Sequence, residues 1–140
     1  MATIRDVCRR ALMRLRIVPA GQDIPAGDAA DALDAYNQMV LAWKARGTDV
    51  TIPAGETEST GAYVPKVLGD DFDLGDHHID GVIALLAVRL SADYGKEPGA
   101  DTRIAADHGW TALQAEFNQV QDLVMDDGLL IPPQGSSLTW

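Results

Sequence analysis

The sequence predicts an all-α protein: a four-helix bundle with a short extended or hairpin arm and a non-helical C-terminal tail. Its 140 residues are 46% hydrophobic, but 20 of them are Ala and only 8 are aromatic, which favours closely packed helices over sheet. Apolar residues recur at helical spacing in four segments, which Gly and Pro residues separate. A chain of this length is expected to form one domain.

The first predicted helix covers residues 3–16. Thr3 is placed to cap it, and Asp6 completes a T-x-x-D capping box. Pro19 ends it, because proline disfavours helical geometry at the residue before it. The helical period gives one buried stripe, so its cysteine is expected to be a core residue and not a reactive thiol: Ile4, Val7, Cys8, Ala11, Leu12 and Leu15.

The second predicted helix covers residues 27–46. Acidic residues near its start and basic residues in its last turn complement the helix dipole. Gly47 is placed to end the helix in a left-handed conformation. The buried stripe is predicted to contain Ala29, Leu33, Tyr36, Val40 and Trp43, flanked by Ala32 and Met39.

The third and fourth predicted helices cover residues 76–94 and 100–123. Gly95 closes the third helix and Pro98 precedes the fourth, as in a helix–turn–helix corner. The fourth helix has the stripe Ala106, Trp110, Leu113, Phe117 and Val120. The third helix is apolar almost all round, which predicts a central position and a second face against a neighbouring subunit at Leu85, Val88 and Ala92.

Two segments lack a helical period. Residues 48–66 contain short β-like pieces and are predicted to form the arm. Residues 1–128 are predicted to form the helical domain, and residues 129–140 a docking tail for a partner. The tail combines apolar residues, two prolines that favour an extended chain and an aromatic anchor: Leu129, Leu130, Ile131, Pro132, Pro133 and Trp140.

The charge is unevenly distributed. Residues 1–16 contain five Arg and one Asp, whereas the whole chain has a net charge of −10. An acidic body repels phosphate, so sequence-specific nucleic-acid binding is not expected. The arginines of the first helix form either a solvated face or a contact with an acidic partner, for which the candidates are Arg5, Arg9 and Arg16. No segment is long and apolar enough to predict a membrane span.

No motif in the sequence indicates catalysis or a bound cofactor. The acidic segment 69–80 fails as a calcium loop, since Val82 stands where the loop needs a bidentate Glu. His77 and His78 are adjacent and would point about 100° apart on a helix, unlike the two histidines of H-E-x-x-H. Phosphate loops, nucleophile elbows and Cys–His pairs are absent from the sequence. The sequence therefore predicts a non-enzymatic protein without metal or cofactor.

The order of these features resembles phage head–tail connector proteins, including the tail accessory factors of short-tailed phages and the adaptors of long-tailed phages and gene transfer agents. The resemblance covers about residues 3–125. It rests on an Arg-rich helix, IVPAGQDIP at 17–25, DAADALDAYNQMVLAWKARG at 28–47, LGDDFDL at 68–74 and VIALLAVRLSADYG at 82–95 before Glu97 and Pro98. Residues 24–27 lack the Ser or Thr cap common before the second helix of the family.

The resemblance implies a helical subunit of a ring of about twelve copies, located in the virion at the portal vertex of the capsid after synthesis in the host cytoplasm. The ring would bind the portal protein through the C-terminal segment and a downstream tail or stopper protein at its other end. DNA would pass through the channel, and the subunit would have no catalytic residues. Other hypotheses are a non-enzymatic helical interaction module, a small DNA-related regulator and a small enzyme.

Overall fold

The computed structural model describes residues 2–51 and 64–118. Within these ranges the chain is mostly helical: α1 is Ile4–Arg14, α2 Ala26–Ala45, α3 Ile79–Tyr94 and α4 Ala100–Phe117, with a 3₁₀ turn at Asp76–His78 before α3. The described residues form no β-strand, only the isolated bridges Thr3–Asp71 and Thr48–Asn118. The helical fold class is thereby confirmed, whereas residues 52–63 of the predicted arm and the whole predicted tail lie outside the described residues.

Helix α1 begins with the predicted capping box. The Thr3 hydroxyl accepts from the Asp6 backbone N–H at 3.3 Å, and the Asp6 carboxylate accepts from the Thr3 backbone N–H at 3.0 Å. Two further donors of the first turn bind backbone carbonyls of a distant segment. The N–H groups of Ile4 and Arg5 donate to the carbonyls of Asp70 and Leu68 at 2.9 and 3.1 Å. The first turn of α1 is therefore held by its own cap and by residues 68–70.

Helices α1 and α2 end in the same way, with the hydrogen bonds of a Schellman motif. In α2 the N–H groups of Gly47 and Thr48 donate to the carbonyls of Lys44 and Trp43, and Gly47 has a φ of +87°, as predicted. Helix α1 ends at Arg14, two residues earlier than predicted. Arg16 takes the left-handed position there, with a φ of +59°, so the helix ends five residues before Pro19.

Helix α3 is the central element, as predicted, because it contacts each of the other three helices. Its fully buried leucines and valine, Val82, Leu86 and Leu90, belong to one apolar cluster that includes residues from all four helices. Burying such side chains contributes about 1.5–3 kcal/mol each. The predicted stripes of α1 and α2 are confirmed: all of their residues are buried except Leu33, which is half-buried against the same cluster.

Phe72 and Leu74 attach the segment before α3 to this core. Their side chains are buried in the same cluster as the helical residues. The backbone N–H of Phe72 donates to the carbonyl of Ala2 at 2.8 Å. At the start of the segment, the Asn37 side-chain amide makes two hydrogen bonds to the backbone of Lys66, at 2.9 and 3.0 Å. Residues 66–74 therefore cross from α2 to the start of α1.

Helices α3 and α4 form an antiparallel hairpin whose backbones touch at two glycines. A Cβ atom on Gly81 would lie 2.6 Å from the Gly109 Cα, and a Cβ on Gly109 would lie 2.5 Å from the Gly81 Cα. Real Cβ atoms do not approach this closely, so only glycine at both positions permits the crossing. The connection between the helices contains Gly95, whose φ of +62° fits its predicted role as the residue that closes α3.

Helix α4 is shorter than predicted. It ends at Phe117, and Asn118 is extended, with φ −66° and ψ 122°. The prediction that the helix continues through residue 118 is therefore wrong, and 119–123 lie outside the described residues. The reason is visible at Asn118, which bridges to Thr48, while the carbonyl of Phe117 accepts from the N–H of Asp49 at 3.3 Å. Pairing with residues 48–49 replaces the next helical turn.

The glycine contact predicts substitutions of opposite sign. Gly81→Ala or Gly109→Ala should lower the free energy of unfolding by about 1–3 kcal/mol, because the added methyl forces the backbones of α3 and α4 apart. Gly27→Ala is the matched control, since Gly27 is helical and has open space around its Cα. It should raise the free energy of unfolding by up to about 1 kcal/mol through helix propensity. Urea unfolding measures all three, and a stabilised Gly81→Ala protein would contradict the contact.

The capping box predicts a pH dependence. The hydrogen bond from the Thr3 backbone N–H is the largest cause that holds the pKa of Asp6 below its ordinary value of 3.8; burial opposes it, and the Thr3 hydroxyl, Arg9 and Arg10 lower the pKa further. A lowered folded-state pKa means that the ionised carboxylate stabilises the fold above the unfolded pKa and that this contribution is lost as the pH falls through the folded pKa. Asp6→Asn should therefore destabilise the protein near neutral pH, and the difference from the natural protein should shrink below about pH 4. Thermal unfolding across pH measures this difference, and a constant difference would contradict it.

Candidate functional site

The predicted subunit interface on α3 lies partly within the chain's own packing. Leu85 is half-buried and packs against the core cluster, so part of the second apolar face is covered by this chain itself. Val88 is half-buried and Ala92 is exposed. The exposed Arg89 and Asp93 follow Val88 and Ala92 in sequence and line the neighbouring cleft between α2 and α3. The surface that α3 leaves open is therefore mixed, with small apolar and charged residues side by side.

The arginines predicted to contact an acidic partner have different environments. Arg5 forms an ion pair with Asp23, with 2.8 Å between Nη2 and Oδ2, so its charge already has an acceptor within the chain. Arg9 is half-buried on α1, and Arg16 is exposed in the turn that follows the helix. On α1, Arg14 donates to the Thr102 hydroxyl of α4 at 3.4 Å. Arg5 and Arg9 thus lie one turn apart on α1 and both lower the pKa of Asp23, Arg5 foremost through its hydrogen bond, whereas Arg16 lies beyond the end of the helix.

The predicted docking tail, from Leu129 to Trp140, lies outside the described residues. Exposed apolar residues within the described ranges are found elsewhere, and sequence reasoning did not select them. Leu41 on α2 is 46% exposed, Val67 58%, Val64 77% and Ile104 on α4 56%. Leu41 lies one turn after Asn37, the residue that binds the backbone of Lys66. This places Leu41 and the 64–67 segment on the same side of α2.

A cleft lined by residues of α2 and α3 has a strongly acidic lining. Its charged residues are Asp31, Asp34, Asp93 and one arginine, Arg89. At one end of the cleft the Tyr94 hydroxyl donates to the Asp28 carboxylate at 2.9 Å. Burial, followed by this hydrogen bond and the surrounding carboxylates, raises the pKa of Tyr94 to about 12, so the phenol stays protonated as a donor. The cleft therefore presents negative charge and a fixed hydroxyl.

Two histidines and one glutamate converge where α3 begins and α4 ends. The Nε2 atom of His77 is 2.9 Å from Glu116 Oε2, and the Nε2 atom of His78 is 2.5 Å from the same oxygen. The two rings lie 4.1 Å apart between centroids. The sequence-based argument that adjacent histidines must diverge is therefore wrong here. Neighbouring residues of the 3₁₀ turn at Asp76–His78 leave the backbone about 120° apart, so the rings meet because both side chains reach toward Glu116 and not because the turn aligns them.

The local backbone explains how both rings reach one carboxylate. Gly75 has a φ of +95°, and its carbonyl accepts from the His78 N–H at 3.1 Å, which closes the tight turn. A Cβ at Gly75 would lie 2.8 Å from the His77 ring, so the glycine also provides space for that ring. His78 packs beside Phe117 of α4, with ring centroids 5.6 Å apart. Its ring is therefore held between the turn and the end of α4.

The electrostatics of this cluster are those of a carboxylate with two donors. A carboxylate accepts only, so each ring donates through its Nε2–H. These hydrogen bonds, first from His77 and then from His78, hold the pKa of Glu116 below its ordinary value. The His78 side chain is 2% exposed, Glu116 32% and His77 66%, so the cluster is closed toward the core and open toward solvent on the His77 side. In the described part of the chain it is the one group of at least three ligand-type side chains with converging atoms.

Cys8 is buried on α1, as predicted. Burial raises the pKa of its thiol to about 12, which leaves almost no thiolate near neutral pH. The prediction that Cys8 is a core residue is thus confirmed.

No helix in the residues described here has the length and apolar character needed to cross a bilayer.

The local signals for these groups differ in strength. The stripe containing Cys8 follows from helical periodicity, whereas Glu116 is one of 21 acidic residues and lies 38 positions from His78.

Comparison with models of known protein families gives no match to this chain. A search of curated proteins likewise gives no significant relative.

Proposed function

We propose that this protein is a structural subunit of a head–tail connector, an adaptor that forms a ring below the portal, joins capsid to tail and surrounds the path of the DNA. The observation that carries the proposal is the ordered set of segments that resembles that family. The motif at 28–47 falls on α2 and its Schellman end, and the motif at 82–98 falls on α3 and the turn into α4. The order of the family's motifs thus coincides with the order of described helices.

In this proposal the four helices form a bundle around α3, and residues 129–140 form a non-helical docking tail. The central position of α3 and the antiparallel α3–α4 hairpin support the bundle arrangement. Side chains at the C-terminal end of α2 contact α4. The rings of Trp43 and Trp110 are 6.0 Å apart between centroids, and the Arg46 guanidinium lies 4.4 Å from the centroid of the Trp110 ring. Such a cation–π contact at the surface contributes about 0.5–1 kcal/mol.

The surface charge supports a channel that lets DNA pass. The net charge is −10, and the α2–α3 cleft has three carboxylates against one arginine. Negative walls repel the phosphate backbone and so do not hold the DNA that moves past them. The protein would have no enzymatic activity and no sequence-specific contact with nucleic acid. Its partners would be further copies of itself, the portal protein and a downstream tail or stopper protein at the head–tail interface of the virion.

The proposed subunit contact includes Leu85, Val88 and Ala92. Because Leu85 packs on the chain's own core, a charge there would disturb folding as well as assembly. Ala92 is exposed, so a substitution at this position tests the contact without removing any core residue. A charged group enclosed at an apolar interface carries a desolvation penalty.

Ala92→Asp is accordingly expected to shift the protein from rings to smaller species while its thermal unfolding stays close to that of the natural protein. Ala112→Asp is the matched control, because Ala112 is equally exposed but lies on α4. Native mass spectrometry and negative-stain class averages, with portal present and absent, measure the assembly. If the natural protein stays monomeric in both conditions, the connector proposal fails. If Ala92→Asp assembles as well as Ala112→Asp, the assigned contact is wrong.

The docking tail is tested by truncation. A protein that ends at Gly128 should keep its helical content and lose binding to the portal, because the apolar residues and Trp140 supply the anchor in this proposal. Repetition around a ring lets a modest affinity per tail suffice. Co-elution with purified portal measures binding, with Ser136→Ala as the control within the tail. Undiminished portal binding by the truncated protein would remove the tail from the proposal.

A further inference from the structure

We infer that His77, His78 and Glu116 form a binding site for one divalent transition-metal ion, of which Zn²⁺ is the best match, at the junction of α3 and α4. The inference is independent of the connector proposal. It rests on three donor atoms of the type that zinc binds, two imidazole nitrogens and one carboxylate oxygen, all within 4.8 Å of one another. The nitrogen donors favour zinc over Mg²⁺ and Ca²⁺, which prefer oxygen.

The distances are close to those of a metal site. Tetrahedral Zn²⁺ with bonds near 2.0–2.1 Å separates neighbouring ligand atoms by about 3.3 Å. In the structure the two Nε2 atoms are 2.9 and 2.5 Å from Glu116 Oε2. Small rotations of the exposed His77 ring and the half-exposed carboxylate, each moving its atom by less than about 1 Å, open this space. Each neutral ring would bind the ion through a deprotonated Nε2 and carry its one proton on Nδ1, so the ion would lie where the two Nε2 protons now lie, between the rings and the carboxylate.

The surroundings determine the coordination. His78 is held by burial beside Phe117, and the exposed His77 ring already reaches the same carboxylate oxygen, so the three ligands converge before an ion arrives. The open side toward His77 leaves room for water as the fourth ligand. Asp76 and Asp80 flank the histidines in sequence and are exposed, so the approach to the site is acidic. A cation is attracted there by these charges and by the net charge of the chain.

Metal binding would join the turn before α3 to the last turn of α4. His77 and His78 precede α3, and Glu116 is the next-to-last residue of α4. An ion bound to all three closes the open end of the helical hairpin, opposite the 95–99 connection. Because the unfolded chain does not hold these ligands together, metal binding stabilises the folded state. Its role in this inference is a structural clip.

Titration calorimetry of the full-length, untagged protein with Zn²⁺ is the test, with Mg²⁺ as the comparison ion. We expect one equivalent of Zn²⁺ per chain, no Mg²⁺ binding under the same conditions, and a higher midpoint of thermal unfolding with Zn²⁺. His77→Ala and Glu116→Gln should each weaken Zn²⁺ binding at least about tenfold and remove the thermal shift. His77→Ala is the decisive variant because its ring is 66% exposed, so its loss leaves the core intact.

The matched controls are His108→Ala and Glu97→Gln, which remove an exposed histidine and an exposed glutamate away from the cluster. Both should bind Zn²⁺ like the natural protein. The inference is overturned if the natural protein takes up no Zn²⁺, if His77→Ala binds as tightly as the natural protein, or if His108→Ala weakens binding to the same extent. Failure of this test leaves the ring assembly measured above unaffected.

Discussion

The backbone contact between Gly81 and Gly109 is the constraint on which the arrangement of the second half of the chain depends. It brings the backbones of α3 and α4 closer than a side chain at either glycine would allow. Among the helix pairs of the described chain, α3 and α4 have the most extensive contact. The close approach leaves Leu86 and Leu90 fully buried around α3. The histidines lie one turn before Gly81, and Glu116 lies two turns after Gly109. The same close approach therefore brings these side chains within reach of each other.

The first half of the chain is attached to this hairpin by a segment without regular structure. Residues 66–74 bind α2 through Asn37, supply two carbonyls to the first turn of α1 and bury Phe72 and Leu74 in the common core. Hydrogen bonds that would otherwise need water or side-chain caps are satisfied by this backbone. The segment acts as a strap across the start of α1, and the order of α1 depends on a part of the chain more than sixty residues away.

Local signals predicted the helices well, because a buried helix face produces a periodic pattern of apolar residues and a helix end favours particular residue types. The stripe from Ile4 to Leu15, the Thr3 cap and the glycine ends of α2 and α3 are all properties of residues within a turn or two of each other. The remaining features depend on partners that are distant in sequence. Helix α4 stops because residues 48–49 bind its end, whereas the left-handed Arg16 is a local feature that its residue type does not indicate.

The candidate site illustrates the same limit. A pair of adjacent histidines says little from the sequence alone, because the two rings meet at a carboxylate of α4 although neighbouring residues of the 3₁₀ turn diverge at the backbone. Glu116 has no local feature that separates it from other surface carboxylates. Gly81 and Gly109 were equally inconspicuous, because a glycine within a helical pattern indicates a close approach only when its counterpart across the interface is identified.

The bridge between Thr48 and Asn118 joins the residues that follow the C-terminal ends of α2 and α4. Paired residues in such a bridge have Cα atoms about 5 Å apart, and the N–H of Asp49 donates to the carbonyl of Phe117 beside it. The C-terminal ends of α2 and α4 therefore meet at one corner of the described structure. Tension applied to the chain beyond residue 118 would act first on this short pairing. Its hydrogen bonds connect residues at the C-terminal ends of α2 and α4. The corner is thus a mechanical anchor point shared by both stretches of chain that continue from it.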